Sequence, residues 1–339
     1  MVRERRLAWL HSLVGLAVLV GLAACVRGAA GNGDEPGGTS VAQPSTVAIA
    51  ALSPSGNAAA PPASPGSGVL PWTMPLPSLK PQPSTATVPI LYYHRVQRVP
   101  KEFATWTPAR QRAFLMYDAL PAAFSAQLDW LTLHRYTTIL PRDLAAYWDL
   151  GVPLPPKPVI LTFDDGFGSW AGTVLPALQS HGMVAEFYLT LDAIASGGIR
   201  WSDVRRLAQA GNGIGGHDVH HVQLAGIPGR RPATPARMWS EIVRIRAEIA
   251  AHVGVPPDSM AYVGGGYDAT LEALVQKAGY TTARTIQRGI VQTESRRYRM
   301  RVVRIGGRDD VVDPTSGLMA YGLPTFSARM LGVSDKPSR

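Results

Sequence analysis

Apolar and polar positions follow three regimes along this chain. An apolar stretch from Leu10 to Ala24 is interrupted only by His11 and Ser12. A long run follows in which no helical or strand period survives its prolines. From Val88 onward, short apolar runs alternate with helical patterns. Val88–Val96 (VPILYYHRV) reads as a buried strand. Leu120–Leu133 places Phe124, Leu128 and Leu131 at helical spacing, and Pro141–Leu150 reads as a second helix after a short strand at Tyr136–Leu140. Val159–Phe163 is an apolar run suited to a strand buried on both faces. A helix over Trp170–Gly182 and a strand over Val184–Leu189 follow, then a helix over Ser202–Ala210 with Ser202 as its cap. Gly213–Gly215 reads as a short strand leading to His217. The remaining expectations are a long helix at Pro235–Val253, a strand at Ala261–Val263, a helix at Leu271–Ala278 ended by Gly279, and strands at Tyr280–Arg284 and Val302–Ile305. This alternation predicts an α/β barrel or a doubly wound sheet.

The first two regimes are not part of that domain. Arg3, Arg5 and Arg6 precede the apolar stretch, which is shorter than the ~20 residues a membrane-spanning helix needs. Residues 1–24 therefore read as an export signal. The stretch ends in Leu22-Ala23-Ala24-Cys25, and Cys25 is the only cysteine in 339 residues. That ending resembles a bacterial lipobox, which implies lipidation of Cys25 and a cell-envelope protein anchored to a membrane; without lipidation the protein would be secreted. Residues 25–87 are rich in Ala, Pro, Gly and Ser and read as a disordered tether. The folded domain is expected over 88–312, followed by a loose tail at 313–339.

The formal net charge of +9 invites a nucleic-acid reading. The signal carries +2 of it, and no basic cluster is interleaved with aromatics, so no nucleic-acid partner is expected. One cysteine also excludes an intramolecular disulfide and an all-thiolate metal site.

Two short stretches carry chemistry. Thr162-Phe163-Asp164-Asp165-Gly166 ends an apolar strand, where α/β folds place their sites. Two adjacent carboxylates there need a cation. His217-Asp218-Val219-His220-His221 places two imidazoles four apart, facing one way if they lie on a helical turn. An aspartate with two histidines leaves a coordination position for water, as catalytic metal sites do.

The stretches LPPKPVILTFDDGF and WSDVRRLAQAGNGIGGHDVHHVQL, about fifty residues apart, resemble the first two motifs of the polysaccharide deacetylases with a NodB-type domain, carbohydrate esterase family four. Asp218 stands where the second motif has Ser or Thr. The resemblance covers about residues 88–305 and implies a distorted (β/α) barrel. It implies Asp165, His217 and His221 as metal ligands, Asp164 as catalytic base, and a divalent metal, foremost zinc, with cobalt or nickel as alternatives. The activity implied is metal-assisted hydrolysis of N-acetyl groups on a polysaccharide. Most members draw the general acid from a C-terminal histidine, and this chain has none after His252. It is similar instead to the poly-N-acetylglucosamine deacetylases, whose motif order is permuted and whose acid follows a tyrosine near the N-terminus, here His94.

The third motif departs further. Tyr262-Val263-Gly264-Gly265-Gly266-Tyr267 lacks a proline and a tyrosine, so Gly264 would supply the oxyanion N–H from a more flexible loop with one aromatic wall lost. Tyr93, Trp170, Trp201 and Tyr267 are weaker candidates for stacking on sugars. Arg304 is expected to pair with a site carboxylate, His220 to face solvent, and Asp218 either to orient a ligand histidine or to cap the turn. Alternative readings are a deacetylase of peptidoglycan or chitin oligomers, an acetylxylan esterase, and a non-catalytic glycan-binding lipoprotein of the same fold.

Overall fold

The computed structural model describes residues 81–305 together with Phe326 and Met330. The signal, Cys25, nearly all of the tether and most of the tail lie outside the described residues. The elements in chain order are β1 (Thr85–Thr87), β2 (Ile90–Tyr93), β3 (Arg95–Val96), α1 (Pro108–Tyr117), β4 (Asp118–Ala119), α2 (Pro121–Leu133), β5 (Thr137–Thr138), α3 (Pro141–Leu150) and β6 (Pro158–Asp165). Then come α4 (Leu175–Ser180), β7 (Glu186–Leu189), α5 (Leu191–Ala195), α6 (Trp201–Gln209), β8 (Gly213–Gly216), α7 (Pro235–Val253), β9 (Ser259–Ala261), α8 (Ala269–Lys277), β10 (Thr282–Arg288), β11 (Val291–Thr293) and β12 (Met300–Arg304).

Seven parallel strands close into a ring in the order β2-β12-β10-β9-β8-β7-β6, and β2 pairs with β6 to complete it. This is the expected distorted barrel. The distortion has two visible sources. β5 takes the first two residues of β6, Pro158 and Val159, and β2 takes the next four, so two strands share one edge. The β10–β12 ladder slips register between Arg284 and Arg288. β1 pairs antiparallel with β11 outside the ring, so ordered pairing begins at Thr85, three residues before the expected boundary.

Alternation along the strands sorts the core into two layers. Leu91, Tyr93, Val159, Leu161 and Phe163 pack with Phe124, Leu128 and Leu131 of α2, with Val174 just before α4 and with Leu178 of α4. Ile90, Tyr92, Ile160, Met300 and Val302 form the other layer with Leu144 and Tyr147 of α3. Phe163 stacks on Phe187 across β6 and β7 at 5.1 Å.

Helix ends explain where the sequence reading succeeds and fails. α3 and α7 span the residues expected. Each opens on a proline, and each ends on a glycine in the left-handed region, Gly151 and Gly254. α6 starts one residue early, at Trp201, with no side-chain cap from Ser202. Its Asp203 is instead paired with Arg200 at 3.0 Å and Arg206 at 3.3 Å. The expected helix over Trp170–Gly182 is broken. A π-helical turn over Trp170–Val174 precedes α4, because Pro176 has no N–H for the fourth residue before it. α1 has no counterpart in the hydrophobic pattern; it buries Phe114 against Phe103 and Trp106, at 5.4 and 5.8 Å. The tail is not wholly loose: Phe326 and Met330 are buried, and Phe326 meets Trp130 edge-on at 5.4 Å.

Where the strands begin, Glu186 on β7 is buried and accepts the Ser259 hydroxyl of β9 at 2.5 Å. Its register partner on β8 is Gly213, where a Cβ would lie 1.7 Å from the carboxylate, so only glycine fits. Burial, reinforced by Asp258, pushes the Glu186 pKa up to about 8 against the Ser259 hydrogen bond. The native state thus keeps a proton that the unfolded chain loses above about pH 4.3. Stability from this group is present below that value and falls as pH rises toward about 8. Urea unfolding of wild type and Glu186→Gln at several pH values checks this: wild type should lose stability relative to the variant as pH rises through that window.

Candidate active site

The site sits where strands β2, β6, β8 and β9 end, the face that parallel barrels use for chemistry. Asp164 and Asp165, the last residues of β6, diverge as neighbours on a strand must. Asp164 turns into the barrel and is 3% exposed. Arg284 of β10 donates from Nη2 to its Oδ1 and is itself fully buried. The guanidinium lies between the rings of Tyr92 and Tyr188, at 4.7 and 4.9 Å from their centroids. Burial alone would lower the Arg284 pKa, but Asp164 outweighs it and the group stays charged above its ordinary value.

Asp165 turns the other way, with φ 82°, a left-handed conformation uncommon outside glycine. Its Oδ1 lies 3.1 Å from His221 Nε2 and 3.4 Å from His217 Nε2. This buried oxygen has no hydrogen bond of acceptable geometry, although both imidazoles are close. The ligand atoms of Asp165, His217 and His221 all fall within 4.8 Å of one another. Ligands at about 2.1 Å from a tetrahedral ion stand about 3.4 Å apart, so two of the observed separations already match. His217 Nδ1 is 2.7 Å from the Ala261 carbonyl, which can only accept; the ring proton is therefore on Nδ1, and Nε2 is left free to ligate.

The field also calls for a cation. Burial would lower His217, yet Asp164 and Asp165 raise its pKa to about 9. Burial would raise Asp165, yet the facing His217 and His221 hold it well below the usual carboxylate range. An orphaned oxygen, two aimed imidazole nitrogens and two carboxylates within reach fit a divalent ion with a nitrogen–oxygen ligand set.

His217 and His221 do not share a helical turn, as their spacing suggests. They converge through a loop in which Asp218 and His221 have φ of 59° and 47°. Side chains hold that loop. Asp218 accepts the Val222 N–H at 3.2 Å, so it caps the turn. Glu241 of α7 accepts the N–H groups of Val219 and His220, both at 3.1 Å, and meets His220 Nδ1 at 2.8 Å. His220 is half exposed, but it is tied to Glu241 rather than free in solvent.

A cavity of ≈ 330 Å³ brings six expected residues together: His94, Asp164, Asp165, His217, His221 and Gly264. Burial lowers the His94 pKa to about 4, against the raising effect of Asp164 and Asp165. The third-motif loop is tightly packed rather than loose. Gly264 and Gly265 have φ of 62° and 71°, and a Cβ at Gly265 would lie 2.4 Å from Ile286 Cγ1. The Gln223 amide closes on Gly266, where a Cβ would lie 2.5 Å from its nitrogen.

The weaker candidates fare differently. Tyr93 is buried between Phe124 and Phe163 with its hydroxyl on Gln127, so it is core rather than a stacking platform. Trp170 is also core, and its Nε1–H donates to the His94 carbonyl at 2.9 Å. Trp201 stacks on His252 at 4.1 Å. Tyr267 is half-buried against Tyr262, at 5.9 Å; Tyr262, not Tyr267, lines the cavity. Arg304 sits 5.4 Å from the ring of Tyr117. The buried arginine on Asp164 is Arg284, which sequence reasoning missed. Its signal was an arginine in the middle of the strand TARTIQR, where strand interiors disfavour an unpartnered charge.

A family model described as Polysaccharide deacetylase matches residues 151–283. Over that stretch the chain resembles the polysaccharide deacetylase family. A curated Bacillus subtilis protein named for polysaccharide deacetylase, YxkH, is 24% identical over 226 residues, 65% of this chain and 72% of its own. The Streptococcus pyogenes deacetylase PplD, solved with acetate, matches with TM-score 0.58 and 19% identity over 65% of this chain and 93% of its own. A de-N-acetylase from Aggregatibacter actinomycetemcomitans matches with TM-score 0.56 and 18% identity over 71% of this chain and 99% of its own. At such identities the solved structures show a shared fold. Family and ligand cluster together make this a metal-dependent polysaccharide deacetylase. The matched stretch excludes β2 and His94, which complete the barrel and the cavity from the N-terminal side.

Glu241 grips the ligand loop through three contacts, so truncating it should loosen the metal site. Glu241→Ala is expected to weaken zinc or cobalt binding by about 10–100-fold, measured by calorimetry on the purified protein.

Proposed function

We propose that this protein removes N-acetyl groups from an envelope or extracellular polysaccharide of the poly-N-acetylglucosamine type. The observation that carries the reading is the position of His94. An amide, unlike an ester, has a leaving group that must be protonated, and His94 lines the same cavity as Asp164 and the three ligands. It comes from the N-terminal strand, as the permuted branch requires. Similarity to a de-N-acetylase supports the same bond.

Asp165, His217 and His221 would hold the ion, with zinc the first choice and cobalt or nickel compatible. The ion, when bound, would polarise the acetyl carbonyl and lower the pKa of a water. Asp164, fixed by Arg284, takes that water's proton. The Gly264 N–H donates to the carbonyl oxygen as charge develops there. His94 delivers a proton to the departing amine nitrogen. Burial keeps the resting imidazole neutral, so the ring must first take up a proton, for which the one Asp164 draws from the water is available, before it can pass one to the amine.

Export and anchoring through Cys25 complete the proposal. They rest on the sequence Leu22-Ala23-Ala24-Cys25 and the Pro- and Ala-rich tether after it. At about 3 Å per residue, such a tether reaches on the order of 100 Å or more. Among the described residues no helix is long and apolar enough to cross a membrane.

Acetate and amine release from N-acetylglucosamine oligomers of defined linkage tests the activity. Asp164→Asn and His94→Ala should each lower turnover by about 100-fold or more with metal content intact. Metal binding without release from any glycan would instead support a binding role, and release only from acetylated xylan an esterase. Palmitate labelling in a bacterial host tests the anchor: the label should be present in wild type and lost in Cys25→Ser.

A further inference from the structure

Tyr92 touches both proton-handling sides of the cavity. It is held in the middle of the closed barrel, paired with Thr162 of β6 on one side and Arg304 of β12 on the other. Strand alternation sends its neighbour Tyr93 into the outer core and turns Tyr92 toward the site, where it lines the cavity at 6% exposure. Its ring lies 4.7 Å from the Arg284 guanidinium, the group that holds Asp164. Its hydroxyl lies 3.1 Å from His94 Nε2, with the two rings 4.8 Å apart and tilted by 56°. The tyrosine of the Tyr-His pair is therefore structural, and the residue before it reaches the chemistry.

A phenol is a better donor than acceptor, and the buried His94 ring is neutral at rest. An O–H donated to Nε2 leaves the single ring proton on Nδ1. We propose that Tyr92 is the positioning residue for His94: it fixes the ring's orientation and its Nδ1–H tautomer, and through Arg284 it keeps that ring in register with Asp164. This rests on His94 as the proton donor named above.

The experiment uses the full chain loaded with zinc. Tyr92→Phe keeps the ring over Arg284 and deletes only the hydroxyl. Turnover of N-acetylglucosamine oligomers should fall by about 10–100-fold, with KM within about twofold and metal content unchanged. Hydrolysis of an aryl acetate, whose phenolate leaves without protonation, should change by less than about threefold. Nitrogen-15 NMR of the His94 ring, assigned with His94→Ala, should show an unprotonated Nε2 and a protonated Nδ1 in wild type and a tautomer mixture in Tyr92→Phe. Equal losses on amide and aryl ester would overturn the proposal and make Tyr92 structural. So would a wild-type His94 protonated on Nε2, a measurement that does not depend on the folding of Tyr92→Phe. A wild type with the expected NMR signature and no amide turnover would remove the deacetylase reading while leaving the contact established.

Discussion

The buried ion pair between Arg284 and Asp164 constrains everything around it. The two side chains are 0% and 4% exposed, so each charge has lost its water. Removing one partner from such a pair costs about 3–5 kcal/mol, because the other is left buried and unpaired. Tyr92 and Tyr188 cover the faces of the guanidinium and add an attraction of about 2 kcal/mol for a desolvated cation. Asp164 is thus committed to the barrel interior. Its neighbour must then point the other way, and Asp165 does so by adopting φ 82° at the strand end. One ion pair therefore separates two adjacent carboxylates into two environments: one dry and cation-bound, the other open to the histidine loop.

That loop shows why the metal ligands were legible while their support was not. Asp165, His217 and His221 could be named from residue type, spacing and resemblance. Their convergence depends on two left-handed residues and on Glu241, which lies twenty residues beyond His221 on a different element. No local pattern marks a glutamate on α7 as the partner of two backbone N–H groups. Arg284 was missed for the same reason: its partner is 120 residues away in sequence, on a strand that only barrel closure brings near. The barrel was readable because strand and helix alternate with the correct periods, and helices ended by proline and glycine were readable to the residue. α1 was not: among its described residues only Phe114 is buried, so no apolar stripe marks it.

Barrel closure also explains how an N-terminal histidine can serve a site built from later motifs. β2 fills the gap between β12 and β6, so the first strand of the ring is adjacent to the last and to the one bearing both aspartates. A ring has no privileged starting strand. A donor carried at the end of β2 occupies the same rim as one carried near β12, and chain order is free to vary while the rim is kept.

One pair of carboxylates raises the pKa of two histidines on that rim and burial lowers both, yet the balance falls on opposite sides. His217 lies 3.4 Å from Asp165 and 3.8 Å from Asp164, and the carboxylates overcome burial to raise it to about 9. His94 meets a phenol instead of a carboxylate, and burial prevails to lower it to about 4. Groups of one type pushed apart in this way mark a division of labour. The position that attracts positive charge is the one suited to a cation's ligand sphere. The position that repels it keeps the ring neutral at rest, so a proton taken up during the reaction is readily passed on to a leaving group. The balance differs because His217 lies against a carboxylate while His94 lies against a phenol, a difference set by the strand that carries each ring.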